Sequence, residues 1–239
     1  MAEADEATAA SSRSLRGVYE RGTGVDFDRM IFFTDAVYAI AMTLLIVTVE
    51  LPKLSGDVTD PAVLWDAITD SGPKILGFFI GFVLLGRYWL AHHEFTTWLQ
   101  AIDRTLMSTN LIYLAFVAFL PFPTALIGGY EDNPLSVTLF GITLALVSGM
   151  ETVLFIVAYR HELLRTRISR EAYRYGVAAS TAPVVVFLAS IPLAFLVSPT
   201  VALLSWLVAI PIQIVMARIA PATAHSPMGP GASHRNPPT

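Results

Sequence analysis

The chain has 239 residues, of which 54% are hydrophobic and 14% charged, and its net charge is −4 at neutral pH. Soluble domains carry about 25% charged residues, so this composition indicates an integral membrane protein and excludes an ordinary soluble domain. The negative balance argues against a nucleic-acid partner, and the absence of cysteine excludes disulfide and thiolate chemistry.

Six apolar segments have the length of membrane-spanning helices. Lipid leaves only helices or closed barrels able to cross, and none of the segments alternates as a barrel strand does. We therefore predict an all-α integral membrane protein with six transmembrane helices, near 29–51, 73–99, 105–127, 135–159, 175–197 and 199–219. The predicted division is a mobile N-terminal segment (1–26, or a short surface helix), the six-helix domain (27–220) and a disordered tail (221–239).

The basic residues are unevenly distributed between the two ends of the predicted helices. Arg104 follows the second segment and Arg218 ends the sixth, whereas Lys74 stands among acidic residues at the opposite end. Because cytoplasmic loops are enriched in Lys and Arg, this bias predicts that both termini lie in the cytoplasm. The largest basic group joins the fourth and fifth segments: Arg160, Arg165, Arg167, Arg170 and Arg174.

A short amphipathic helix is predicted between the first two segments, in the run DPAVLWDAITDSG. Asp60 has the side chain of a helix N-cap, and Pro61 suits the first helical position. The apolar residues of this helix, Leu64, Trp65 and Ile68, are expected to rest on the outer surface.

The first segment carries an ionisable residue inside the membrane, Asp35, about 9 Å along a helix from Arg29. Such a residue is costly in lipid and is expected to have a polar partner. Counting residues from the helix ends places it in one layer with polar groups of the second and third segments. The predicted members of the layer are Arg29, Thr34, Asp35, Trp89, His92 or His93, and Asn110. The network either only holds the bundle together or also positions a pore.

An apolar stripe runs along the first segment and comprises Ile40, Thr43, Leu44 and Val47. At 100° per residue, Asp35 points about 140° away from Ile40. One face of the helix can therefore bind its neighbours while the stripe faces lipid, another helix or further copies of itself. The residues alone leave these three contacts open.

No enzyme or metal signature emerges from the sequence. The run His92-His93-Glu94 contains ligand types, but adjacent side chains diverge by about 100° on a helix and the i, i+4 spacing of a shared metal site is missing. Nucleotide loops, nucleophile elbows and paired carboxylates are likewise missing. We predict a protein that is not an enzyme and holds no metal or cofactor.

Two further pairs are expected to hold helices together. Arg87 and Glu151 lie at similar estimated depths, which predicts a buried ion pair, with extension of Arg87 into a polar crevice as the alternative. Gly77 and Gly81 have the small-xxx-small spacing that suits close helix packing.

Several linked motifs resemble those of the transmembrane protein 175 family of potassium channels, over about the first half of the chain. The matching residues are Arg29-x-x-x-Phe33-Thr34-Asp35 followed by AVYAIAMTLL, Trp89-x-x-His92, Asp103, Asn110 and the run Leu120-Pro121-Phe122-Pro123-Thr124. Thr34 stands where the family usually has Ser; it keeps the hydroxyl, so the network is expected to survive.

This resemblance implies a homotetramer in a bacterial plasma membrane, in which the first helix of each copy lines a central path for K⁺. It implies that Ile40 is a hydrophobic constriction and Thr43 a pore-facing hydroxyl, and helical spacing extends the wall to Leu44 and Val47. The motif residues would position this helix: Arg29, Phe33, Thr34, Asp35, Trp89, His92 and Asn110. The family prefers K⁺ over Na⁺ without a carbonyl filter, and this sequence has no TVGYG run. The alternative is a proton-coupled secondary transporter that uses Asp35 and His92 as a relay.

Overall fold

The computed structural model describes residues 18–20, 25–52, 54 and 59–219. Six of its helical stretches are long and apolar enough to cross a membrane, which confirms the predicted six-helix, all-α architecture. The helices are α1 (Val25–Val47), α2 (Pro61–Asp70), α3 (Gly72–Thr97), α4 (Arg104–Phe119), α5 (Pro121–Gly129), α6 (Pro134–Arg160), α7 (Arg170–Leu196), α8 (Pro199–Ser205) and α9 (Ala209–Ile219). The candidate spans are α1, α3, α4 with α5, α6, α7, and α8 with most of α9.

Side-chain caps start the helices at the residues that the sequence offers for this purpose. The carboxylate of Asp60 accepts a hydrogen bond of 2.8 Å from the Ala62 backbone N–H, and Pro61 is the first residue of α2, as predicted. Asp103 caps α4 in the same way, with its Oδ1 atom 2.7 Å from the Leu106 nitrogen. These bonds satisfy backbone donors that have no partner inside the helix.

The third predicted segment, 105–127, is not one uninterrupted helix. It divides at Leu120 into α4 and α5, because Pro121 has no N–H with which to continue the backbone ladder. The sixth segment is also interrupted, by a 3₁₀ turn at Trp206–Val208. In contrast, α7 continues through Pro183 and Pro192.

A two-stranded antiparallel ribbon lies at one end of the bundle, where β1 (Val18–Glu20) pairs with β2 (Ala101–Asp103). The predicted N-terminal segment therefore contributes a strand, while residues 1–17, 21–24 and 220–239 lie outside the described residues. The connection between α6 and α7 is bonded to the same end, with the Arg165 nitrogen 2.8 Å from the Trp98 carbonyl oxygen.

The basic residues predicted between the fourth and fifth segments divide between this connection and the adjoining helices. Arg165 and Arg167 belong to the connection, Arg160 ends α6, and Arg170 and Arg174 lie in the first two turns of α7. All five side chains are exposed at one end of the bundle.

At the opposite end, α3 and α5 approach each other through glycine. A Cβ atom built on Gly128 would stand 2.9 Å from the Lys74 Cα atom, and one built on Gly81 would stand 2.7 Å from a methyl carbon of Thr124. Gly77 lies on the same buried face of α3, so the close packing predicted from the Gly77-xxx-Gly81 spacing is confirmed.

Candidate functional site

Helix α1 has one buried face. Residues three or four apart share that face, because an α-helix turns 100° per residue. Its buried residues follow this spacing and pack against α3, α4 and α5: Phe27, Met30, Thr34, Tyr38, Ala41 and Leu45.

The opposite face of α1 carries the predicted stripe of Ile40, Thr43, Leu44 and Val47, and all four side chains are exposed. Ile40 is 58% exposed, Leu44 46% and Val47 71%. Thr43 is exposed too, and its hydroxyl donates a 2.9 Å hydrogen bond to the Ile40 carbonyl oxygen of its own helix. The lone pairs of the Thr43 oxygen are therefore free to face outward.

Two hydrogen bonds join the Thr34–Asp35 part of α1 to its neighbours. The Trp89 indole N–H of α3 donates to Asp35 Oδ1 at 2.9 Å. The Asn110 amide of α4 donates to the Thr34 hydroxyl oxygen at 2.9 Å, and this hydroxyl in turn donates to the Met30 carbonyl oxygen. We call these two interhelical bonds the polar clamp. Four of the residues assigned to the network from the sequence thus meet in two separate pairs.

His92 reaches the same layer through its ring. It is 4% exposed, and its ring lies 5.0 Å from that of Tyr113 at an interplanar angle of 12°. Among the described residues, neither His92 ring nitrogen has a hydrogen-bond partner, so no direct bond joins it to Asp35. The structure therefore provides no direct relay between the two groups invoked for a transporter.

Arg29 and Phe33 are not brought into the layer. Both side chains are exposed on α1, and Phe33 is 51% exposed. His93 and Glu94 are also exposed, whereas His92 is buried, so these three residues do not converge on a metal.

A chain of three polar groups extends the layer to α6. The hydroxyl groups of Tyr38 and Tyr113 are hydrogen-bonded, and the Tyr113 hydroxyl donates to Glu151 Oε1 at 3.1 Å. We call Tyr38, Tyr113 and Glu151 the tyrosine relay. The spacing of the sequence contains a signal for it, since Tyr38 follows Thr34 by four residues and Tyr113 follows Asn110 by three.

The prediction of an ion pair between Arg87 and Glu151 is wrong. Glu151 accepts its hydrogen bond from Tyr113, and no ion pair joins it to Arg87 in the part of the chain that the structure describes. Arg87 lies on the exposed side of α3, next to the buried Tyr88 that faces α6. Similar depth is therefore not sufficient to predict an ion pair, because Arg87 is exposed and the Glu151 carboxylate is bonded by Tyr113 instead.

Residues 29–121 match the family described as "Endosomal/lysosomal potassium channel TMEM175". The predicted resemblance to TMEM175 is confirmed. The matched region contains most of α1 and all of α2, α3, β2 and α4. It includes every residue of the polar clamp, whereas Glu151 lies beyond it.

Individual TMEM175 relatives carry two kinds of name. A potassium channel of Streptomyces collinus is 37% identical over 107 residues, which are 44% of this chain and 50% of the relative. A potassium channel of Chamaesiphon minutus is 30% identical over 106 residues, with shares of 44% and 51%. The Homo sapiens endosomal/lysosomal proton channel TMEM175 is 33% identical over 102 residues, or 39% of this chain and 19% of that protein. The chain spans about half the length of the first two relatives.

The whole bundle also resembles a solved structure. The crystal structure of a lysosomal potassium-selective channel TMEM175 homolog from Chamaesiphon minutus superposes with a TM-score of 0.61 at 23% identity, over 82% of this chain and 99% of that one. The two therefore share a fold. Together with the six apolar helices, this likeness identifies the chain as a multi-pass membrane protein with the TMEM175 fold.

Proposed function

We propose that this protein is a potassium-selective cation channel, a homotetramer in which α1 of each copy lines a central path. The observation that carries the proposal is the division of α1 into a fastened face and a free apolar face. The polar clamp holds one side, while Ile40, Leu44 and Val47 on the other side are exposed. Two relatives named potassium channels each match 44% of this chain, which supports an ion path, rather than lipid alone, opposite this face.

Ile40 is the proposed constriction. A ring of four isoleucine side chains excludes water when it is narrow, so that it closes the path by dewetting. When the ring widens slightly, an ion must shed part of its hydration shell to pass, and the more weakly hydrated K⁺ passes more readily than Na⁺. The Thr43 hydroxyls, about one helical turn further along the path, replace part of the lost water through their oxygen atoms.

The proposed orientation places both termini in the cytoplasm and the arginine-rich end at the inner face of a bacterial plasma membrane. Support comes from the exposed arginines at the end where α6 finishes and α7 begins. The outer end then carries α2 and the connection from α5 to α6, where Asp66, Asp70, Glu131 and Asp132 are exposed.

The experiment uses the purified protein in liposomes and measures K⁺ and Na⁺ flux in the same preparation. We expect K⁺ flux to exceed Na⁺ flux, and Ile40→Ala to lower this ratio several-fold because the ring becomes wider. Leu188→Ala in α7 is a matched control for Leu44→Ala, since both leucines are 46% exposed. Leu44→Ala is expected to change the flux ratio and Leu188→Ala to leave it unchanged.

Two results would reject the proposal. One is selective flux that none of the substitutions on α1 alters, because the path would then lie elsewhere. The other is a purified protein that is monomeric in lipid. Proton flux is recorded alongside, since several relatives are named proton channels; flux that saturates and is coupled to protons would identify a transporter instead.

A further inference from the structure

In the part of the chain that the structure describes, the tyrosine relay is a polar path that joins the second half of the chain to α1. Tyr38 is 1% exposed and Tyr113 is fully buried, so both hydroxyl groups must find partners within the protein. A phenol hydroxyl can donate one hydrogen bond, and Tyr113 donates it to Glu151 Oε1. Tyr113 therefore accepts from Tyr38, and the bonds run in one direction from α1 through α4 to α6.

The relay meets α1 at the level of the exposed stripe. Tyr38 and Ile40 are two residues apart, which is about 3 Å along the axis and about 160° around it. The polar clamp, by comparison, holds α1 at Thr34 and Asp35, which lie about 8–9 Å from Ile40 along the axis. Among the described residues of α1, Tyr38 thus makes the interhelical hydrogen bond nearest to Ile40.

Helix α6 is a suitable anchor for such a bond. It packs against α4, α5 and α7, and the buried residues Ser148 and Thr152 lie within one turn of Glu151. A second tyrosine bond of the same kind, from Tyr88 on α3 to Ser148 Oγ at 2.8 Å, ties α6 to the bundle without touching α1. Unlike this bond, the relay reaches α1, the helix that carries Ile40.

We propose that Glu151 is a positioning residue for α1. Acting through Tyr113 and Tyr38, it sets the rotation of α1 about its axis and hence the direction in which the Ile40 side chain points. This inference rests on the proposed channel function. It gives the half of the chain beyond residue 121, which lies outside the family match, a direct part in ion selectivity.

The test compares variants that keep or remove the relay with little change of volume. Tyr113→Phe removes both relay bonds and leaves a ring to stack on His92, and Glu151→Met removes the acceptor. Glu151→Gln keeps an acceptor oxygen at the same position. Tyr88→Phe is the matched control, because it deletes the hydrogen bonds of a buried tyrosine hydroxyl to Ser148 and Leu144 of α6, which do not involve α1.

We expect Tyr113→Phe and Glu151→Met to change the K⁺/Na⁺ flux ratio by roughly threefold, the effect of one average interhelical hydrogen bond in a membrane protein. Glu151→Gln and Tyr88→Phe are expected to keep the ratio of the unmodified protein. The double variant Tyr113→Phe with Glu151→Met should change the K⁺/Na⁺ flux ratio no more than either single variant does, since both substitutions break the same path.

A second readout is independent of ion flux. The chain contains no cysteine, so Ile40→Cys introduces a unique thiol whose disulfide between copies reports how α1 faces the axis. We expect this disulfide to form in the Glu151→Gln and Tyr88→Phe backgrounds and to weaken several-fold in the Tyr113→Phe and Glu151→Met backgrounds.

The positioning role is rejected if Tyr113→Phe leaves both the flux ratio and the disulfide unchanged, or if Tyr88→Phe shifts them equally. If the unmodified protein conducts no ions, the disulfide pattern decides the positioning role alone. If Ile40→Cys forms no disulfide between copies in any background, the tetrameric pore fails, and the positioning role fails with it.

Discussion

The two ends of α3 are packed in different ways. Near its start, Gly77 and Gly81 let the backbones of α3 and α5 approach almost to contact. Near its end, Trp89 donates to Asp35 and His92 stacks on Tyr113, so that indole and imidazole rings separate the helices.

The difference shows how the distance between two helices and the rotation of one of them can be fixed by different contacts. Close glycine packing fixes the distance between two helices through van der Waals contact, but it contains no directional bond. Hydrogen bonds have preferred angles and therefore fix rotation as well as distance. The directional bonds to α1 lie at the polar end, in the clamp and the tyrosine relay, whereas the glycine end supplies close packing.

The largest expected effect comes from overfilling the glycine end. Gly128→Val places a β-branched side chain where even a Cβ atom would stand 2.9 Å from the Lys74 backbone. We expect the free energy of unfolding to fall by roughly 3 kcal/mol, because neither backbone can move without displacing its helix. Unfolding of the purified protein in mixed micelles measures the change.

Gly129→Val is the control for this substitution. Gly129 follows Gly128 in α5 and is exposed, and a Cβ atom built on it would meet no other side chain or helix of the described residues within 4 Å. Equal losses at 128 and 129 would show that helix propensity, not close packing, governs this end of the bundle.

The fold could be predicted from hydropathy because lipid demands long apolar helices. The ends of the helices were harder to predict than their existence. Helix α1 begins at Val25, because Asp26 and Asp28 are tolerated in a first helical turn, where acidic groups face the positive end of the helix dipole. The strand at Val18–Glu20 has three residues and depends on pairing with a partner about eighty residues away, which no local pattern reveals.

In the site, depth along the helices was sufficient to bring together Thr34, Asp35, Trp89 and Asn110. It could not assign their partners, because hydrogen bonding depends on helix rotation as well as depth. Tyr38 and Tyr113 were missed for another reason: an aromatic residue in an apolar segment reads as core, and only its hydroxyl makes it part of a polar path. The family role of Ile40 and Thr43 stays a prediction.

A smaller effect is expected at the polar end. Thr34→Val keeps the shape of the side chain but removes the oxygen that accepts from the Asn110 amide. We expect the free energy of unfolding to fall by about 1 kcal/mol, since a buried donor loses its partner within a membrane protein.

Thr43→Val on the exposed face is the matched control for Thr34→Val, because its hydroxyl bonds only to its own helix. It is expected to leave stability unchanged while altering ion flux. The pair thus separates a residue that holds α1 from one that faces the path, and a stability loss at 43 as large as that at 34 would contradict this separation.

The smallest effect is expected beyond the glycine end, at the ion pair between Lys74 and Glu50, whose charged atoms lie 3.3 Å apart. Exposed pairs of this kind contribute at most about 1 kcal/mol, so Glu50→Gln should leave the free energy of unfolding almost unchanged.

If the acidic residues at this end concentrate cations, Glu50→Gln should reduce K⁺ flux slightly at low ionic strength and not at high ionic strength, because salt screens the attraction. Glu131→Gln, at the same end but after α5, is the control for a general loss of surface charge. A flux loss at Glu50 that persists in high salt would mean that this carboxylate contacts the permeating ion, and the polar end would then no longer be alone in controlling conduction.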